Sequence, residues 1–449
     1  MISSTVDLVL KNAKLFTLQG IITGGIAVEK GKIVKLSKEP DLPRADEVID
    51  AKGFLLLPGL IDSHVHLRDM ELSYKEDFYT GTCAAAAGGV TTVIDMPNTV
   101  PRTTSLKALR EKKQEAQKKI VTNLAFYAGF PLNLNEVEKI SKEGIVGFKI
   151  YPHDPLEEIN WSNEEQALSY FEAAAKNKLP VAIHPDDLET IRNLQSKLGQ
   201  KNLSNIEVFL ESHPAATEKK AIIKFAAMAI KTKCHLHICH ISSTESLTSI
   251  KEVQSRGAKV TCEVTPHHLL LTEEDIKKHN TYAKVLPPLR TKKDNTALWA
   301  AILDGTINIL ASDHAPHSIS EKEKPFPEAP SGFPGLETMF PLMFTKVAHG
   351  DLRLEKLVEL TSLSPAKIFK LENKGMLLEG YDADMVLVDP KEKWKINPEK
   401  FYSKSKFSPF KDWKVVGKAK MTFVKGSCIM SDEQIIGSRG TGSIIKIQP

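Results

Sequence analysis

Short apolar runs of strand length alternate with longer helical patterns through the middle of the chain. The strand-like runs end near His66, Asn98, Phe130, Tyr151, His184, His240, His267 and Asp313. Between them lie stretches of helical character, for example residues 80–89, 103–119, 163–177, 217–231, 244–255 and 294–303. Eight strand–helix units in series predict an α/β fold, a (β/α)8 barrel of the TIM type.

The two ends of the chain have a different pattern, in which short apolar runs are separated by turn residues. The runs cover residues 8–10, 14–16, 25–28 and 32–34 at one end, and 384–388, 421–424 and 443–447 at the other. Such runs predict short strands of a β module. We therefore expect a small β-sandwich built from residues 1–57 and 376–449, with the barrel in residues 58–375.

Composition and charge exclude several classes of protein. The chain has 449 residues, of which 41% are hydrophobic and 26% charged, and its formal net charge is +4. These values are typical of a globular protein and give no indication of nucleic-acid binding. No apolar stretch is long enough for a membrane-spanning helix, and the first residues lack the features of a secretory signal. The five cysteines are scattered, which is typical of reduced thiols in a cytoplasmic protein.

Two histidines, His64 and His66, follow the apolar run of residues 55–61. Alternate residues of a strand face the same side, so both imidazoles can bind one metal ion. An isolated His-x-His pair is an accident about as often as it is a metal site. The run before this pair, however, is apolar enough for a buried parallel strand. Active sites of barrels lie at the carboxyl ends of their strands, which favours a metal site here.

Three further strand ends carry groups that bind metals, namely His184, His240 and Asp313. Each of them alone is more often a hydrogen-bonded residue at the end of a strand. Together with the His-x-His pair they form a set of imidazoles and a carboxylate that suits zinc or another divalent transition metal. His237 competes with His240 because strand parity allows either, and the final position favours His240.

Lys149 lies inside an apolar strand of residues 146–151. Burying a bare ammonium there is costly, and two solutions are open. The side chain can extend to the surface, which is the more common outcome. Alternatively the amine can react with carbon dioxide and become a carbamate, whose two anionic oxygens can bridge two cations.

Several segments of the chain closely resemble the dihydroorotase family, which belongs to the cyclic amidohydrolases of the amidohydrolase superfamily. They are GLIDSHVHLR at 59–68, KEDF at 75–78, GGVTTVIDMPNT at 88–99, EVTPHH at 263–268, PPLR at 287–290 and DHAPH at 313–317. The resemblance covers residues 54–375. The segment GYDAD at 380–384 is shared with the wider superfamily.

The resemblance implies two divalent metal ions, most commonly zinc, and a hydroxide activated between them. It implies reversible hydrolysis of the ring amide of (S)-dihydroorotate to N-carbamoyl-L-aspartate, a step of pyrimidine biosynthesis. Asp313 would act both as a ligand of the first metal and as the acid/base, and Lys149 would bridge the metals as N6-carboxylysine. The six metal ligands implied in this way are His64, His66, Lys149, His184, His240 and Asp313.

The resemblance also implies that Arg68, Asn98 and His317 bind the carboxylate of the substrate. Arg68 has an argument of its own, because only nine of the sixty basic residues are arginine and a guanidinium binds a carboxylate with two parallel hydrogen bonds. Three positions depart from the family pattern. Leu286 replaces a frequent Asn before PPLR, residues 69–71 are DME where the family has DPG, and residues 185–186 are PD where AE is common.

Other functions fit parts of this sequence. A dihydropyrimidinase/hydantoinase or an allantoinase would use the same metals, but its substrate lacks the ring carboxylate and has less need of Arg68 and Asn98. A non-catalytic scaffold that kept the barrel would be expected to lack several metal ligands. The sequence leaves open a homodimer and an association with aspartate carbamoyltransferase.

Overall fold

Eight parallel strands form the central sheet of the computed structural model, which describes residues 5–199 and 203–447. Neighbours in the chain are neighbours in this sheet, and the predicted barrel is confirmed. The strands are β6 (Leu60–Val65), β7 (Val90–Asp95), β8 (Asn123–Ala128), β9 (Gly147–Ile150), β10 (Val181–Ile183), β11 (Leu236–Ile238), β12 (Val260–Val264) and β13 (Ile309–Leu310). Residues 1–4, on which the expectation about a secretory signal partly rests, lie outside the described residues.

The seam of the barrel joins its first and last strands. Beyond β6, the His66 backbone N–H donates to the His314 carbonyl at 2.8 Å, and Val65 forms a parallel bridge with His314. The Ser312 backbone N–H donates to the Asp62 carboxylate at 3.1 Å. The residues that follow β6 and β13 are therefore held side by side at the mouth of the barrel.

The ends of the chain form a second, mostly antiparallel sheet of nine strands, as predicted for a terminal β module. Its strands are β1 (Thr5–Thr17), β2 (Gly20–Glu29), β3 (Lys32–Ser37), β4 (Arg44–Asp50), β5 (Leu55–Pro58), β14 (Met385–Lys395), β15 (Lys414–Val424), β16 (Ser427–Ser431) and β17 (Gln434–Ile435). The chain changes from this sheet to the barrel between Pro58 and Leu60 and returns at Met385. The domain limits at 57/58 and 375/376 remain a prediction.

Two expectations about strands are wrong. The apolar run before His64 is not one strand, because β5 pairs with β1 and β14 and the barrel strand begins only at Leu60. Gly59 separates them, and a side chain there would lie 2.2 Å from Thr91 Oγ1. The run 443–447 does not join the terminal sheet; Ile444 bridges Leu124 of β8, and the Ile445 backbone N–H donates to the Leu124 carbonyl at 2.8 Å.

Fifteen α-helices occur in the described ranges, and the six that the pattern predicts are present with ends within three residues of those expected. Local capping explains where several begin; for example, Asp77 and Thr80 form a reciprocal capping box at the start of the first helix. The helices are α1 (Phe78–Ala87), α2 (Leu106–Gln117), α3 (Glu136–Lys142), α4 (Glu164–Lys176), α5 (Leu188–Leu198), α6 (Asn205–Ser212), α7 (Ala215–Thr232), α8 (Thr244–Ser255), α9 (Pro266–Leu270), α10 (Glu273–His279), α11 (Lys292–Leu303), α12 (Ile319–Lys322), α13 (Leu336–Ala348), α14 (Leu354–Val358) and α15 (Ser364–Ile368). Among the described residues, none of these helices is long and apolar enough to cross a membrane.

A buried ion pair fixes the chain just beyond β6. The Lys112 ammonium lies 2.7 Å from the Asp95 carboxylate, and both side chains are buried. The other carboxylate oxygen of Asp95 accepts the Leu67 backbone N–H at 2.7 Å. Because Leu67 precedes Arg68, this pair holds the start of the loop that carries the arginine.

Candidate metal centre

Asp313 lies between the two histidines of the His-x-His pair. The Nε2 atoms of His64 and His66 are each 3.3 Å from Asp313 Oδ1. The three side chains are buried, and their ligand atoms are close enough together to hold one metal ion. The seam of the barrel brings them together, because His64 lies in β6, His66 directly follows that strand and Asp313 follows β13.

Left-handed backbone conformations occur at three candidate site residues. The φ angles are 57° at Arg68, 31° at His240 and 47° at Asp313. Residues other than glycine rarely adopt this region, and such conformations cluster at functional sites. The backbone therefore turns sharply where these side chains enter the mouth of the barrel.

His184 and His240 form a second pair of imidazoles. His184 Nδ1 lies 2.9 Å from His240 Nε2, and His184 Nε2 lies 2.8 Å from the Asp186 carboxylate. His237, the alternative to His240, is instead turned toward β12, where Thr261 Oγ1 lies 2.9 Å from its Nδ1 and Glu263 Oε2 lies 3.1 Å from its Nε2. The structure thus places His240 beside His184 and keeps His237 away from it.

Lys149 does not extend to the surface, so the more common solution for a strand lysine does not apply here. Its side chain is 1% exposed, and its ammonium lies 2.8 Å from Cys239 Sγ. Its positive charge acts on His64, His66, His184 and His240, contributing to their lowered pKa values. The amine therefore lies among the imidazoles that could bind metals.

The electrostatics of these residues fit a pair of divalent metal ions. Burial lowers the pKa of all four imidazoles, so they are neutral and have a lone pair for a metal at neutral pH. His240 Nδ1 is buried and has no hydrogen-bond partner within the described ranges. Burial also raises the pKa of Asp313, which indicates a cost that a nearby cation would offset. A mixed set of imidazole nitrogens and a carboxylate is the donor set that zinc prefers.

The carboxylate of Glu263 contacts a candidate metal ligand, His64, and this role was not predicted from the sequence. It contacts His64 Nδ1 and His237 Nε2, and it accepts the Ser63 hydroxyl at 3.2 Å. Burial alone would raise the pKa of Glu263, but His64 and His237 hold it well below its usual range. A fully buried position for an acidic residue, between Cys262 and Val264 of strand β12, was the available signal.

The amide of Asn98 has a similar orienting contact on the other histidine. Asn98 Oδ1 lies 2.8 Å from His66 Nδ1, which makes the amide oxygen the acceptor of the His66 proton. Its amide N–H groups remain available to a ligand. Asn98 therefore joins the metal-binding side of the site to the cavity.

A cavity of about 200 Å³ opens above these residues. All the metal-binding candidates except Lys149 line it, and so do Arg68, Asn98 and His317. Leu286 also lines it, so an apolar side chain stands where the family often has an amide. Larger cavities, among them two of about 570 and 810 Å³, are lined by other residues.

The predicted substrate residues Arg68 and His317 are close neighbours. Arg68 Nη2 lies 3.3 Å from His317 Nε2, and Arg68 Nε donates to the Pro316 carbonyl at 3.3 Å. His317 Nε2 also lies 3.0 Å from the Ser331 carbonyl, and its Nδ1 lies 3.3 Å from the Lys75 ammonium. Both ring nitrogens of His317 thus have partners in the protein.

Two buried lysines fix the wall of the cavity that contains Ser331 and Gly332. The Lys322 ammonium donates to the carbonyls of Pro330 and Gly332 at 2.7 and 3.0 Å. The Lys284 ammonium donates to the carbonyls of Phe326 and Ala329 at 2.6 and 2.7 Å. These hydrogen bonds hold the loop of residues 323–333 against the segment that leads to Leu286.

We expect the replacement Lys322→Met to remove a pH dependence of stability. Burial, and secondarily the charge of Lys284, lower the pKa of Lys322 to about 7. The pKa of a lysine in an unfolded chain is about 10.4. Between these values the unfolded chain binds more protons, so the free energy of unfolding rises with pH, by up to about 1.4 kcal/mol per pH unit.

Urea unfolding at pH 7.5 and 9.5 measures this effect. The unfolding free energy of the wild type minus that of Lys322→Met should be more positive at pH 9.5 than at pH 7.5. The exposed neighbour Lys324→Met is the matched control and should show no such change. A difference that is the same at both pH values would contradict the assignment.

Comparison with known proteins places the chain in a class. The model of the amidohydrolase family matches residues 55–429, and the L-hydantoinase (dihydropyrimidinase) of Arthrobacter aurescens has the same fold, with a TM-score of 0.94 and 32% identity over 98% of this chain and 100% of that one. The chain belongs to the amidohydrolase family and is a hydrolase.

Within this family, sequence relatives are dihydroorotases. The dihydroorotase of Pyrococcus abyssi is 39% identical over 95% of this chain and 96% of its own length. That of Methanosarcina acetivorans is 34% identical over 98% and 95%. The resemblance to dihydroorotases is therefore confirmed over nearly the full length of the chain.

Proposed function

We propose that this hydrolase opens the ring amide of (S)-dihydroorotate to give N-carbamoyl-L-aspartate, and catalyses the reverse ring closure in pyrimidine biosynthesis. The observation that supports this choice of substrate is the presence of Arg68 and Asn98 in the same small cavity as the candidate metal ligands. A guanidinium is suited to a carboxylate, and dihydroorotate has one on its ring. The dihydroorotase relatives support the same reaction.

The metal ligands proposed are those that the geometry groups together. His64, His66 and Asp313 would hold one divalent ion, and His184 and His240 a second, with zinc as the metal that the donor set favours. Lys149 is proposed to become N6-carboxylysine and bridge them, since its buried amine lies among the imidazoles. When bound, such ions lower the pKa of water and polarise the amide carbonyl.

The residues of the chain supply the remaining chemistry. Asp313 is proposed to take a proton from the attacking water and to deliver it to the ring nitrogen as the amide bond breaks. Arg68 and Asn98 are proposed to orient the substrate through its carboxylate. His317 is proposed to belong to this group, as the family resemblance implies, and it lies directly against Arg68.

The second candidate function is that of a hydantoinase. It is favoured by the likeness to the Arthrobacter aurescens structure and by Leu286, which removes a polar side chain from the cavity. Hydantoin lacks the carboxylate that Arg68 would bind. A buried arginine without such a partner would be costly to keep, so dihydroorotate is the better match.

Assays of the purified chain with dihydroorotate, hydantoin and allantoin test this proposal. We expect dihydroorotate to have the highest kcat/KM, and chelation followed by removal of the metal to abolish turnover, with recovery on adding zinc. A preference for hydantoin would overturn the proposed substrate, and activity that survives complete metal removal would overturn the proposed metal centre.

The cytoplasmic location, a homodimer and the association with aspartate carbamoyltransferase remain predictions from the sequence.

A further inference from the structure

Tyr151 carries an unpaired hydroxyl group at the mouth of the barrel. It directly follows β9 and lines the same cavity as Arg68 and Asp313. The side chain is 8% exposed, and its hydroxyl is buried without a hydrogen-bond partner in the described part of the chain. A buried hydroxyl without a partner is costly, so this group is expected to bind something that enters the cavity.

The position of Tyr151 along its strand places it above the metal-binding layer. Tyr151 comes two residues after Lys149, so it faces the same side and lies about 6.6 Å further toward the mouth. The ring centroid is 4.9 Å from the Lys149 ammonium. Arg68 lies beyond the end of β6 and lines the same cavity. The two side chains are therefore placed to meet the same bound ligand.

The chemistry of the hydroxyl suits a hydrogen-bond donor. A tyrosine hydroxyl ordinarily titrates at about pH 10, so at neutral pH it carries a proton that it can donate to a carboxylate. Arg68 and Asp313 line the same cavity as Tyr151.

Both ring nitrogens of His317, in contrast, already have partners in the protein. Nδ1 lies 3.3 Å from the Lys75 ammonium, and Nε2 lies 3.3 Å from Arg68 Nη2 and 3.0 Å from the Ser331 carbonyl. A hydrogen bond from His317 to the substrate would have to replace one of these contacts, so the stronger neutral donor to the carboxylate is expected to be a group without a partner.

We propose that Tyr151 is that donor: its hydroxyl binds the substrate carboxylate next to the Arg68 guanidinium and makes the site selective for carboxylated cyclic amides. This inference rests on the proposed function, since it assumes a substrate with a ring carboxylate. A hydrogen bond to a charged group is worth about 1.5–3 kcal/mol, so its loss should lower affinity by about 10-fold or more.

The test compares Tyr151→Phe with the wild-type holoenzyme. With dihydroorotate we expect KM to rise about 10-fold and kcat to stay within about twofold, since the contact would be equal in ground and transition states. The inhibition constant of orotate, which has the carboxylate, should rise by the same factor, and that of dihydrouracil, which lacks it, should not change. His317→Gln is the comparison variant for the other carboxylate-binding candidate, and it should raise KM less than Tyr151→Phe does.

Three results would overturn the inference. A fall in kcat with carboxylated and neutral compounds alike would place the hydroxyl at the reacting carbonyl. Unchanged constants would show that it contacts no substrate, and a larger rise of KM in His317→Gln would return the role to the histidine. Phenylalanine keeps the ring and loses only an unpaired hydroxyl, and Tyr151→Leu repeats the measurement if the first variant unfolds. Absence of wild-type turnover of dihydroorotate would instead refute the proposed function.

Discussion

Replacing Asp313 with asparagine is expected to lower kcat by about 10²–10⁴-fold, the usual contribution of a positioned acid/base. An amide cannot take the proton from the attacking water or return it to the departing ring nitrogen. Asparagine has nearly the same shape, so the hydrogen-bonded seam beside it should remain. Steady-state kinetics with dihydroorotate should show the loss in kcat, with KM changed by less than about threefold.

Asp154→Asn is the matched control for this variant. Asp154 lines the same cavity, but its side chain is 73% exposed and it contacts none of the histidines of the cluster within hydrogen-bond distance. It should keep nearly wild-type activity. The metal content of Asp313→Asn has to be measured in parallel, and near-normal turnover by that variant would refute the role of Asp313.

Replacing Glu263 with glutamine is expected to weaken metal binding by about 10–100-fold, as is typical when a group that orients a ligating histidine is altered. Glu263 serves His64 and His237 at once, and a neutral amide has only one oxygen to accept their protons. The His64 ring would lose the negative charge that orients it and raises its basicity. Competition of the two proteins with a chelator of known affinity measures the change.

Glu218→Gln provides the comparison for Glu263→Gln. Glu218 is equally buried and binds Arg290 and Ser246, away from the metal cluster. Its replacement should lower thermal stability while leaving the affinity for metal unchanged. If Glu263→Gln also left the metal affinity unchanged, the orienting role would be wrong.

The barrel could be predicted from the sequence because strand and helix periods alternate regularly. The metal site was predicted from a His-x-His pair after an apolar run, and the structure places Asp313 beside that pair. The sequence reasoning missed the role of Glu263, because that role depends on residues about 200 positions away in the chain. It also missed Lys284 and Lys322, whose partners are backbone carbonyls of a loop. Such contacts leave no local pattern in a sequence.

The errors in the strand assignments have physical causes of the same kind. The apolar residues before His64 read as one strand, but Gly59 allows a close approach to Thr91 that divides the run between two sheets. The run 443–447 looks like a strand, but it bridges the start of β8, and only Ile447 of this run is buried. In both cases the pairing partner was set by tertiary structure.

Likeness of fold does not separate the two candidate substrates. The chain superposes closely on a hydantoinase, although it is also similar in sequence to dihydroorotases over nearly its full length. Function is set by the residues of the site rather than by the barrel. In this chain the side chains proposed to discriminate are Arg68, Asn98 and Tyr151, which line the same small cavity.

The barrel seam has a consequence for the order of events during synthesis. The proposed ligands of the first metal lie at the end of β6 and just after β13, about 250 residues apart in the chain. A ribosome adds about 5–20 residues each second, so His64 and His66 emerge many seconds before Asp313. During that interval the growing polypeptide exposes imidazoles without their carboxylate, and a competent centre can assemble only after the last barrel strand has left the exit tunnel.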